Sequence, residues 1–264
     1  MKYLRFIDKD NCICSGILKT DGTIELLKGG FFETGEPTGQ RYSQEEIQQY
    51  LPPVEVPNII AIGLNYKEHA REFGNPLPPA PVIFLKATTS INAHKQPIIL
   101  PRQAPGEVDY EAELAIVIGK KAKNISPDQA EQFILGYTCA NDVTARDCQQ
   151  RLDKQWARAK SFDTFCPVGP VIETELDPDN LPIRSILNGQ VMQESSTSDL
   201  VFSVPDIVSY CSKNMTLLPG TLILTGTPPG VGFARKPPVL LRAGDTIAVE
   251  IDGIGLLKNQ VRKE

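Results

Sequence analysis

Two glutamates and an aspartate form the most informative cluster of reactive side chains in this sequence. Glu111 and Glu113 are two residues apart at the start of an apolar run that ends at Gly119. On a strand, residues i and i+2 share a face, so the two carboxylates would repel each other unless a cation or proton lay between them. A third carboxylate, Asp142, ends another mostly apolar run. Three carboxylates would suit Mg²⁺ or Mn²⁺, with Ca²⁺ as an alternative. The other interpretation is a solvated acidic edge strand and a capped turn.

A histidine and a glutamate lie three residues apart where an apolar strand passes through Gly63 into a predicted helix. The spacing places His69 and Glu72 on one helical face, where the carboxylate can fix the imidazole tautomer and raise its basicity. Such a pair can activate water. An exposed helical ion pair is the alternative.

Ammonium and hydroxyl groups at three further points could bind an anion. Lys86 and Ser90 come at the end of an apolar strand, and Lys160 lies among aromatic residues, where a buried ammonium needs an anionic partner. The loop containing Thr227 offers a hydroxyl and neighbouring N–H groups to a carboxylate. It lacks the Gly-Lys-Ser/Thr of a P-loop, which argues against a nucleotide site. The alternatives are a surface lysine and a purely structural turn.

The composition of the whole chain narrows the function classes. A chain of 264 residues with 22% charged residues and a net charge of -5 is typical of a globular protein. The charge gives no general attraction to nucleic acid or to a membrane, so the predicted partner is a small molecule. With only 2 histidines, a site built from several imidazoles is excluded.

The 6 cysteines lack paired spacing and are predicted to be reduced thiols. No apolar run reaches the length of a signal peptide or membrane span, and we expect a cytoplasmic protein.

Short strands and tight turns must position these groups. The chain has 22 prolines, and Asp21-Gly22, Asn188-Gly189 and Asp252-Gly253 each separate two apolar runs, which predicts three hairpins. We therefore predict a β-rich α+β fold with a small N-terminal domain over residues 1–56 and a catalytic domain over residues 57–264. Capping signals predict helices over 43–50, 65–73, 126–134 and 205–212.

Six short motifs occur in a fixed order along the chain. They are Gly-Leu-Asn-Tyr-Lys-Glu-His-Ala-Arg-Glu, Phe-Leu-Lys, Asp-Tyr-Glu-Ala-Glu-Leu-Ala-Ile-Val-Ile-Gly-Lys, Asn-Asp-Val-Thr-Ala-Arg-Asp, Ala-Lys-Ser-Phe-Asp-Thr-Phe-Cys-Pro and Leu-Thr-Gly-Thr-Pro-Pro-Gly-Val-Gly. As an ordered set they resemble the fumarylacetoacetate hydrolase family, and above all its small domain-containing members. The match extends from about Ile59 to Val261. Ala87 departs from the family pattern, in which many members have proline after the lysine.

The resemblance implies a fold, an assembly and a set of site residues. The fold would be a mixed β-roll with short peripheral helices, usually assembled as a homodimer. Glu111, Glu113 and Asp142 would bind one divalent cation, commonly Mg²⁺ or Mn²⁺. The catalytic residues would be His69, Glu72 and Lys160, and the substrate would contact Arg146, Gln149 and Thr227.

Three functions follow as hypotheses. The first is a metal-dependent hydrolase that cleaves a carbon–carbon bond in short 2,4-dioxo acids of the acylpyruvate or fumarylpyruvate type, through an enolate stabilised by the metal and Lys160. The second is an oxaloacetate keto-enol tautomerase or decarboxylase that uses the same site. The third is a non-catalytic binding protein, against which the complete set of site residues argues. Gln155-Trp156 resembles the branch for which tautomerisation is proposed, whereas His69 and Glu72 favour water activation.

Overall fold

Strands dominate the computed structural model, which describes residues 1–32, 35–104 and 106–264. The helices are α1 (Lys67–Glu72), α2 (Ala157–Lys160) and α3 (Val204–Asn214). The strands are β1 (Lys2–Asp8), β2 (Ile13–Leu18), β3 (Ile24–Lys28), β4 (Glu36–Tyr42), β5 (Ile47–Leu51), β6 (Ile59–Gly63), β7 (Val82–Lys86), β8 (Ile91–Ala93), β9 (Ile98–Leu100), β10 (Val108–Asp109), β11 (Ala112–Ile118), β12 (Ile134–Asn141), β13 (Thr144–Ala145), β14 (Cys166–Glu173), β15 (Pro182–Leu187), β16 (Gln190–Ser196), β17 (Leu222–Leu224), β18 (Thr246–Ile251) and β19 (Gly255–Lys263). The predicted β-rich fold with short helices is confirmed.

The strands form three sheets in the described chain. The large sheet has 12 strands in the order β4-β3-β2-β1-β14-β12-β11-β17-β6-β7, with β5 on β1 and β8 on β14. A 5-stranded sheet has the order β16-β15-β18-β19-β9, and β10 pairs with β13 alone. Because β1 pairs with β14, the strands of the N-terminal segment continue the large sheet.

The three predicted hairpins are present. They are β2–β3, β15–β16 and β18–β19. At the second of them Asn188 and Gly189 have φ angles of 52° and 85°. Two successive positive φ angles belong to the tight turn whose twist matches that of the flanking strands, and asparagine and glycine tolerate them best. Local turn chemistry therefore predicts these hairpins reliably.

The predicted helix over residues 43–50 is wrong. Ser43 and Glu46 do form a capping box, but it supports only a 3-10 turn over Gln44–Glu46. The chain then continues as β5, which pairs antiparallel with β1 and buries Tyr50. The pairing of β5 with β1 and the burial of Tyr50 outweigh the helix preference that the capping box at Ser43 indicates. The other predicted helices are present as α1, as a 3-10 helix over Pro127–Phe133 and as α3.

Strand β11 lies at the centre of the molecule and is buried along its whole length. Leu114 and Ile116 pack into the largest core cluster, together with residues of the five-stranded sheet and α3. Ala115 and Val117 point to the opposite face and pack into a second cluster. A strand packed on both faces has little freedom to move. The carboxylates at its N-terminal end are therefore held on a rigid support.

None of the helices in the described chain has the length and apolar character that a membrane crossing requires. The 6 cysteines are free thiols in the described chain.

Candidate metal centre and active site

The structure brings together the three carboxylates of the predicted cation site. Strands β11 and β12 are antiparallel neighbours, with Glu113 opposite Ala140, so Asp142 follows β12 beside the start of β11. One oxygen from each of Glu111, Glu113 and Asp142 lies within 4.8 Å of the others, and all three residues are buried. Asp142 is distant in sequence from Glu111 and Glu113, and the register of the sheet brings it next to them.

Two buried lysines neutralise part of this acidic cluster. Lys160, at the end of α2, lies with Nζ 2.8 Å from Glu111 Oε2 and 2.6 Å from Asp142 Oδ2. Lys86, at the end of β7, donates to the other oxygen of Asp142 at 2.5 Å. The side chains of Lys86 and Asp142 are 0% exposed. Lys160 therefore has the anionic partner that its buried position requires.

The two glutamates differ in their electrostatic surroundings. Burial raises the pKa of Glu111, but Lys160 and Arg146 outweigh that effect and lower the pKa to about 2. Burial, together with Asp142 and Glu111, raises the pKa of Glu113 well above its usual range. Of the three carboxylates, Glu113 is the one without an ion pair among the described residues. With Asp109, the cluster has four buried carboxylates against the three cations Lys86, Arg146 and Lys160.

The donor set fits a hard divalent cation. The three carboxylates supply only oxygen, and their oxygens are close enough to share one ion. The ammonium of Lys160 bridges Glu111 and Asp142, so one positive charge already lies beside two of the three carboxylates. The residues that would hold Mg²⁺ or Mn²⁺ are Glu111, Glu113 and Asp142, and such an ion would supply Lewis-acid polarisation of a substrate oxygen.

The histidine and glutamate of α1 form a hydrogen-bonded pair. His69 Nδ1 lies 2.9 Å from Glu72 Oε2, and the other oxygen of Glu72 accepts from Gly230 N at 2.9 Å. Because an ionised carboxylate can only accept, Nδ1 is the protonated nitrogen and Nε2 carries the lone pair in the neutral imidazole. The edge of His69 also packs on Phe73, with ring centroids 5.1 Å apart. The pair therefore presents an oriented base.

Arg146 connects the acidic cluster to a second buried aspartate. Its Nε donates to Asp109 Oδ2 at 2.9 Å, and its Nη1 donates to Gln149 Oε1 at 2.8 Å. Nη2 lies 2.8 Å from both Asp109 Oδ2 and Glu111 Oε1, but without a hydrogen-bonding angle, so these contacts are ion pairs. Burial opposes the charge, yet Asp109 and Glu111 raise the pKa of Arg146 and keep it protonated.

A cavity of about 330 Å³ opens beside these groups. Lys86 and Ser90 do not reach its wall: Lys86 lies behind Asp142, and the Ser90 hydroxyl donates to Ala87 O at 2.6 Å. Of the predicted site residues, His69, Glu111, Glu113, Asp142, Arg146, Gln149, Lys160 and Thr227 line it, together with Ile62, Gly63, Leu64, Phe73, Asn75, Phe84, Gln150 and Trp156.

A larger cavity of about 410 Å³ lies among the N-terminal strands β2 and β3. Its lining includes Arg5 and Glu55, which pair with each other at 3.2 Å, and several apolar side chains. It contains none of the predicted site residues, and the chemistry belongs to the smaller cavity.

The loop over residues 225–233 uses its backbone N–H groups on the protein's own carboxylates. Gly226 N donates to Glu113 Oε2 at 2.7 Å, and Gly230 N donates to Glu72. Gly232 N and Phe233 N donate to Asp109 at 2.8 and 3.0 Å. The sequence predicts a carboxylate-binding loop, and the carboxylates it binds are internal ones. The loop therefore orients the site.

Thr227 differs from its predicted role as a donor to substrate. Its hydroxyl donates to Ala112 O at 2.9 Å and accepts from Gln193 Nε2 at 2.8 Å. A hydroxyl has a single proton, so the side chain of Thr227 can only accept from a further partner.

Gln193 is a structural support of the site that sequence reasoning missed. It lies on β16, in the five-stranded sheet, and is 1% exposed. Its Oε1 accepts from Ala112 N at 2.9 Å, and its Nε2 donates to Thr227 and to Pro228 O at 2.8 Å. It therefore ties the strand of the two glutamates to the loop. A lone glutamine on a strand carries no sequence signal for this role.

Replacing Gln193 by methionine, which has a similar shape, is expected to lower the free energy of unfolding by about 2–4 kcal/mol, because several buried polar groups lose their partner. Urea denaturation measures the effect, with Gln190→Met on the exposed part of β16 as the control. A Gln193→Met variant as stable as the control would contradict this role.

A family model described as "Fumarylacetoacetate (FAA) hydrolase C-terminal" matches residues 58–262, and one described as "Rv2993c-like, N-terminal" matches residues 1–53. The chain belongs to the fumarylacetoacetate hydrolase family. The predicted domain boundary at residue 56 stays a prediction.

Relatives with stated activities are tautomerases, isomerases and hydrolases by name. Oxaloacetate tautomerase fahd2, mitochondrial, from Xenopus laevis is 47% identical over 83% of this chain and 70% of its own length. The solved 5-carboxymethyl-2-hydroxymuconate delta-isomerase from Mycobacterium smegmatis has a TM-score of 0.90 and 41% identity over 100% of both chains. The fumarylacetoacetate hydrolase from Exiguobacterium antarcticum has a TM-score of 0.90 and 36% identity, also over 100% of both chains.

Proposed function

We propose that this protein interconverts the keto and enol forms of oxaloacetate or of a closely related short 2-oxo acid. One observation carries the proposal: an oriented base, His69, and two buried cations, Lys160 and Arg146, line the same cavity as the carboxylate cluster. The tautomerase name of the Xenopus laevis relative supports the same choice. The hydrolase predicted first from the sequence becomes the second candidate.

Tautomerisation needs a base and a means to stabilise negative charge on oxygen. His69 Nε2 would take a proton from the carbon next to the keto group, and Glu72 would stabilise the imidazolium that forms. As that carbon–hydrogen bond breaks, its electron pair moves into the new carbon–carbon double bond and charge develops on the keto oxygen. Lys160 provides fixed positive charge at that stage, while Arg146 is left to meet the carboxylate of the substrate. The proton then returns to the oxygen, so no atom is gained or lost overall.

The size and charge of the cavity suit a small anion. A volume of about 330 Å³ is at the lower end for ligand pockets. With a divalent cation added, the cluster of four carboxylates and three cations would carry one net positive charge. A compact carboxylate-bearing substrate would neutralise it.

Carbon–carbon bond hydrolysis of a 2,4-dioxo acid is the second candidate, and the His69–Glu72 pair is the observation that favours it. The imidazole could direct a water molecule at the distal carbonyl, and the bond to the enolate carbon would then break to release pyruvate and a second acid. Decarboxylation of oxaloacetate would use the same enolate but no water.

Parallel assays with Mg²⁺ or Mn²⁺ separate these reactions. Oxaloacetate, acetylpyruvate and fumarylpyruvate are supplied separately, and loss of enol absorbance and release of pyruvate are followed independently. Accelerated enol loss from oxaloacetate without pyruvate supports the tautomerase. Pyruvate from acetylpyruvate selects the hydrolase, and pyruvate from oxaloacetate selects the decarboxylase. No acceleration of any of them would contradict the proposal.

We expect His69→Gln to reduce tautomerase turnover about a hundredfold, the scale of general-base catalysis. Cation affinity should be unchanged, because His69 is not among the three clustered carboxylates. Steady-state kinetics and Mg²⁺ titration measure the two effects. Arg71→Gln, an exposed change on the same helix, serves as the control. Turnover within threefold of the unmodified protein would remove His69 from the mechanism.

The cation, assembly and location are part of the proposal. We propose Mg²⁺ or Mn²⁺ as the cofactor and a homodimer as the assembly, which light scattering of the purified protein would test. The cytoplasmic location stays a prediction, and the name of the Xenopus laevis relative places that protein in mitochondria.

A further inference from the structure

We propose that Asp109 is a positioning residue that orients the Arg146 guanidinium towards the anionic end of the substrate. This rests on the proposed function, because the anion is taken to be a carboxylate of the 2-oxo acid. Asp109 does not line the cavity and is 0% exposed, so it would act through Arg146.

Asp109 holds one edge of the guanidinium. Its Oδ2 accepts from Arg146 Nε at 2.9 Å and lies 2.8 Å from Nη2. Gln149 takes one hydrogen of Nη1, and Phe233 lies with its ring centroid 5.9 Å from the guanidinium carbon. Each of these contacts restricts rotation of the group. Arg146 lines the cavity, so the restriction fixes the direction in which its remaining N–H groups can donate.

The same carboxylate is itself rigidly held. Gly232 N donates to Oδ1 and Phe233 N donates to Oδ2, while Tyr110 N donates to Oδ1 at 2.8 Å. A Cβ atom at Gly232 would lie 2.6 Å from Asp109 Oδ1 and 2.0 Å from Val239 O. Only glycine therefore permits this close approach of the loop. Asp109 joins Arg146 to the loop that also holds Glu72 and Glu113.

The pairing of two short strands sets this geometry. Asp109 on β10 lies opposite Thr144 on β13, and Arg146 N donates to Glu107 O at 2.8 Å immediately beyond the pair. Nη2 of Arg146 lies at 2.8 Å from Asp109 and at the same distance from Glu111. Without the charge of Asp109, Glu111 would be the carboxylate left beside Arg146. The guanidinium would then turn towards the cation site and away from its substrate-binding orientation.

The Asp109→Asn variant tests this role while preserving shape. With its oxygen in the Oδ1 position, the asparagine can still accept from Gly232 N and Tyr110 N, but its NH2 group then faces Arg146 Nε and Phe233 N as a second donor. The flipped amide would keep the bond from Arg146 and lose those from Gly232 and Tyr110. We expect KM for oxaloacetate to rise at least about tenfold with kcat changed less than about threefold, a change of about 1.4 kcal/mol in binding. Asp163→Asn, an exposed change, is the control.

A double-mutant cycle distinguishes positioning from general structural support. The affinity of the Mg²⁺-loaded protein for oxalate, a small dianion, is measured by calorimetry for Asp109→Asn, Arg146→Gln and the double variant. If Asp109 acts through Arg146, adding Asp109→Asn to Arg146→Gln changes the affinity less than about twofold. If the loss of oxalate affinity in the double variant equals the sum of the losses in the two single variants, the proposal is overturned. It is also overturned if the unmodified protein binds no oxalate. Because oxalate binding needs no turnover, failure of the tautomerase assay alone would overturn only the proposed function.

Arg146→Lys provides a test that does not depend on the folding of the Asp109 variant. Lysine keeps the positive charge but has no Nε–H to meet Asp109. We expect its oxalate affinity to fall by at least about tenfold. An affinity within twofold of the unmodified protein would mean that charge alone suffices and that orientation by Asp109 has no role.

Discussion

Replacing Glu113 by glutamine is expected to abolish divalent-cation binding and to reduce turnover at least about a thousandfold, equivalent to about 4 kcal/mol of transition-state stabilisation. Burial and the neighbouring carboxylates of Asp142 and Glu111 raise the pKa of Glu113 well above its usual range. Among the described ion pairs, no ammonium or guanidinium group contacts Glu113. It therefore has the strongest requirement for an added cation.

The substitution is chosen because it preserves the local packing. A glutamine oxygen can still accept from Gly226 N, which donates to Glu113 at 2.7 Å. Removing the charge should also leave the fold stable, because a buried carboxylate without a positive partner is costly to bury. Mg²⁺ titration by calorimetry and turnover at saturating Mg²⁺ are the measurements.

Glu250→Gln is the matched control for Glu113→Gln. Glu250 is also a glutamate on a strand, but it lies on β18 and pairs with Arg184 at 3.1 Å, away from the cavity. The control should bind Mg²⁺ and turn over normally. A Glu113→Gln variant that binds Mg²⁺ like the control would refute the assignment of the cation site.

Lys160→Met is expected to lose turnover by at least about a hundredfold and to lower the free energy of unfolding by about 3–5 kcal/mol in the absence of divalent cation. The ammonium lies within 2.8 Å of Glu111 and 2.6 Å of Asp142 and is 2% exposed. Its removal leaves two buried carboxylates with one positive partner fewer. The catalytic loss follows because the cavity also loses a cation beside the keto oxygen.

A divalent cation should restore part of the stability of Lys160→Met but not its turnover. The ion would supply positive charge to Glu111 and Asp142, whereas it has no N–H group to donate to the keto oxygen of the substrate. Thermal unfolding with and without Mg²⁺ should show a larger rise in Tm for the variant than for the unmodified protein. Lys120→Met, an exposed change, is the control. An equal rise in both proteins would argue against this division of roles.

Local sequence patterns determined the hairpins, the β-rich fold class and the three clustered carboxylates. Asn188-Gly189 predicts its turn because two positive φ angles depend on the two turn residues themselves. The spacing of Glu111 and Glu113 predicts a shared face because side chains alternate along a strand. The family resemblance extends these inferences to Arg146 and Gln149, for which composition and spacing carry no signal of their own.

Only the tertiary structure decided the partners of these groups. Asp109 lies on β10, which belongs to a different sheet from β11, and neither this break in the strand nor the contact of Asp109 with the distant Gly232 could be read from the sequence. Lys86 looked like a group for binding substrate and instead pairs with Asp142.

The physical reason lies in the range of the interactions. Turn and strand preferences depend on interactions among a few neighbouring residues, so they can be predicted from short segments of sequence. The pairing of Lys160 with Asp142, and the bridge of Gln193 to Ala112 and Thr227, arise from sheet register and packing between distant segments. The sequence by itself thus determined which chemical groups the site contains, and the tertiary structure decided which of them face the substrate and which hold the others in place.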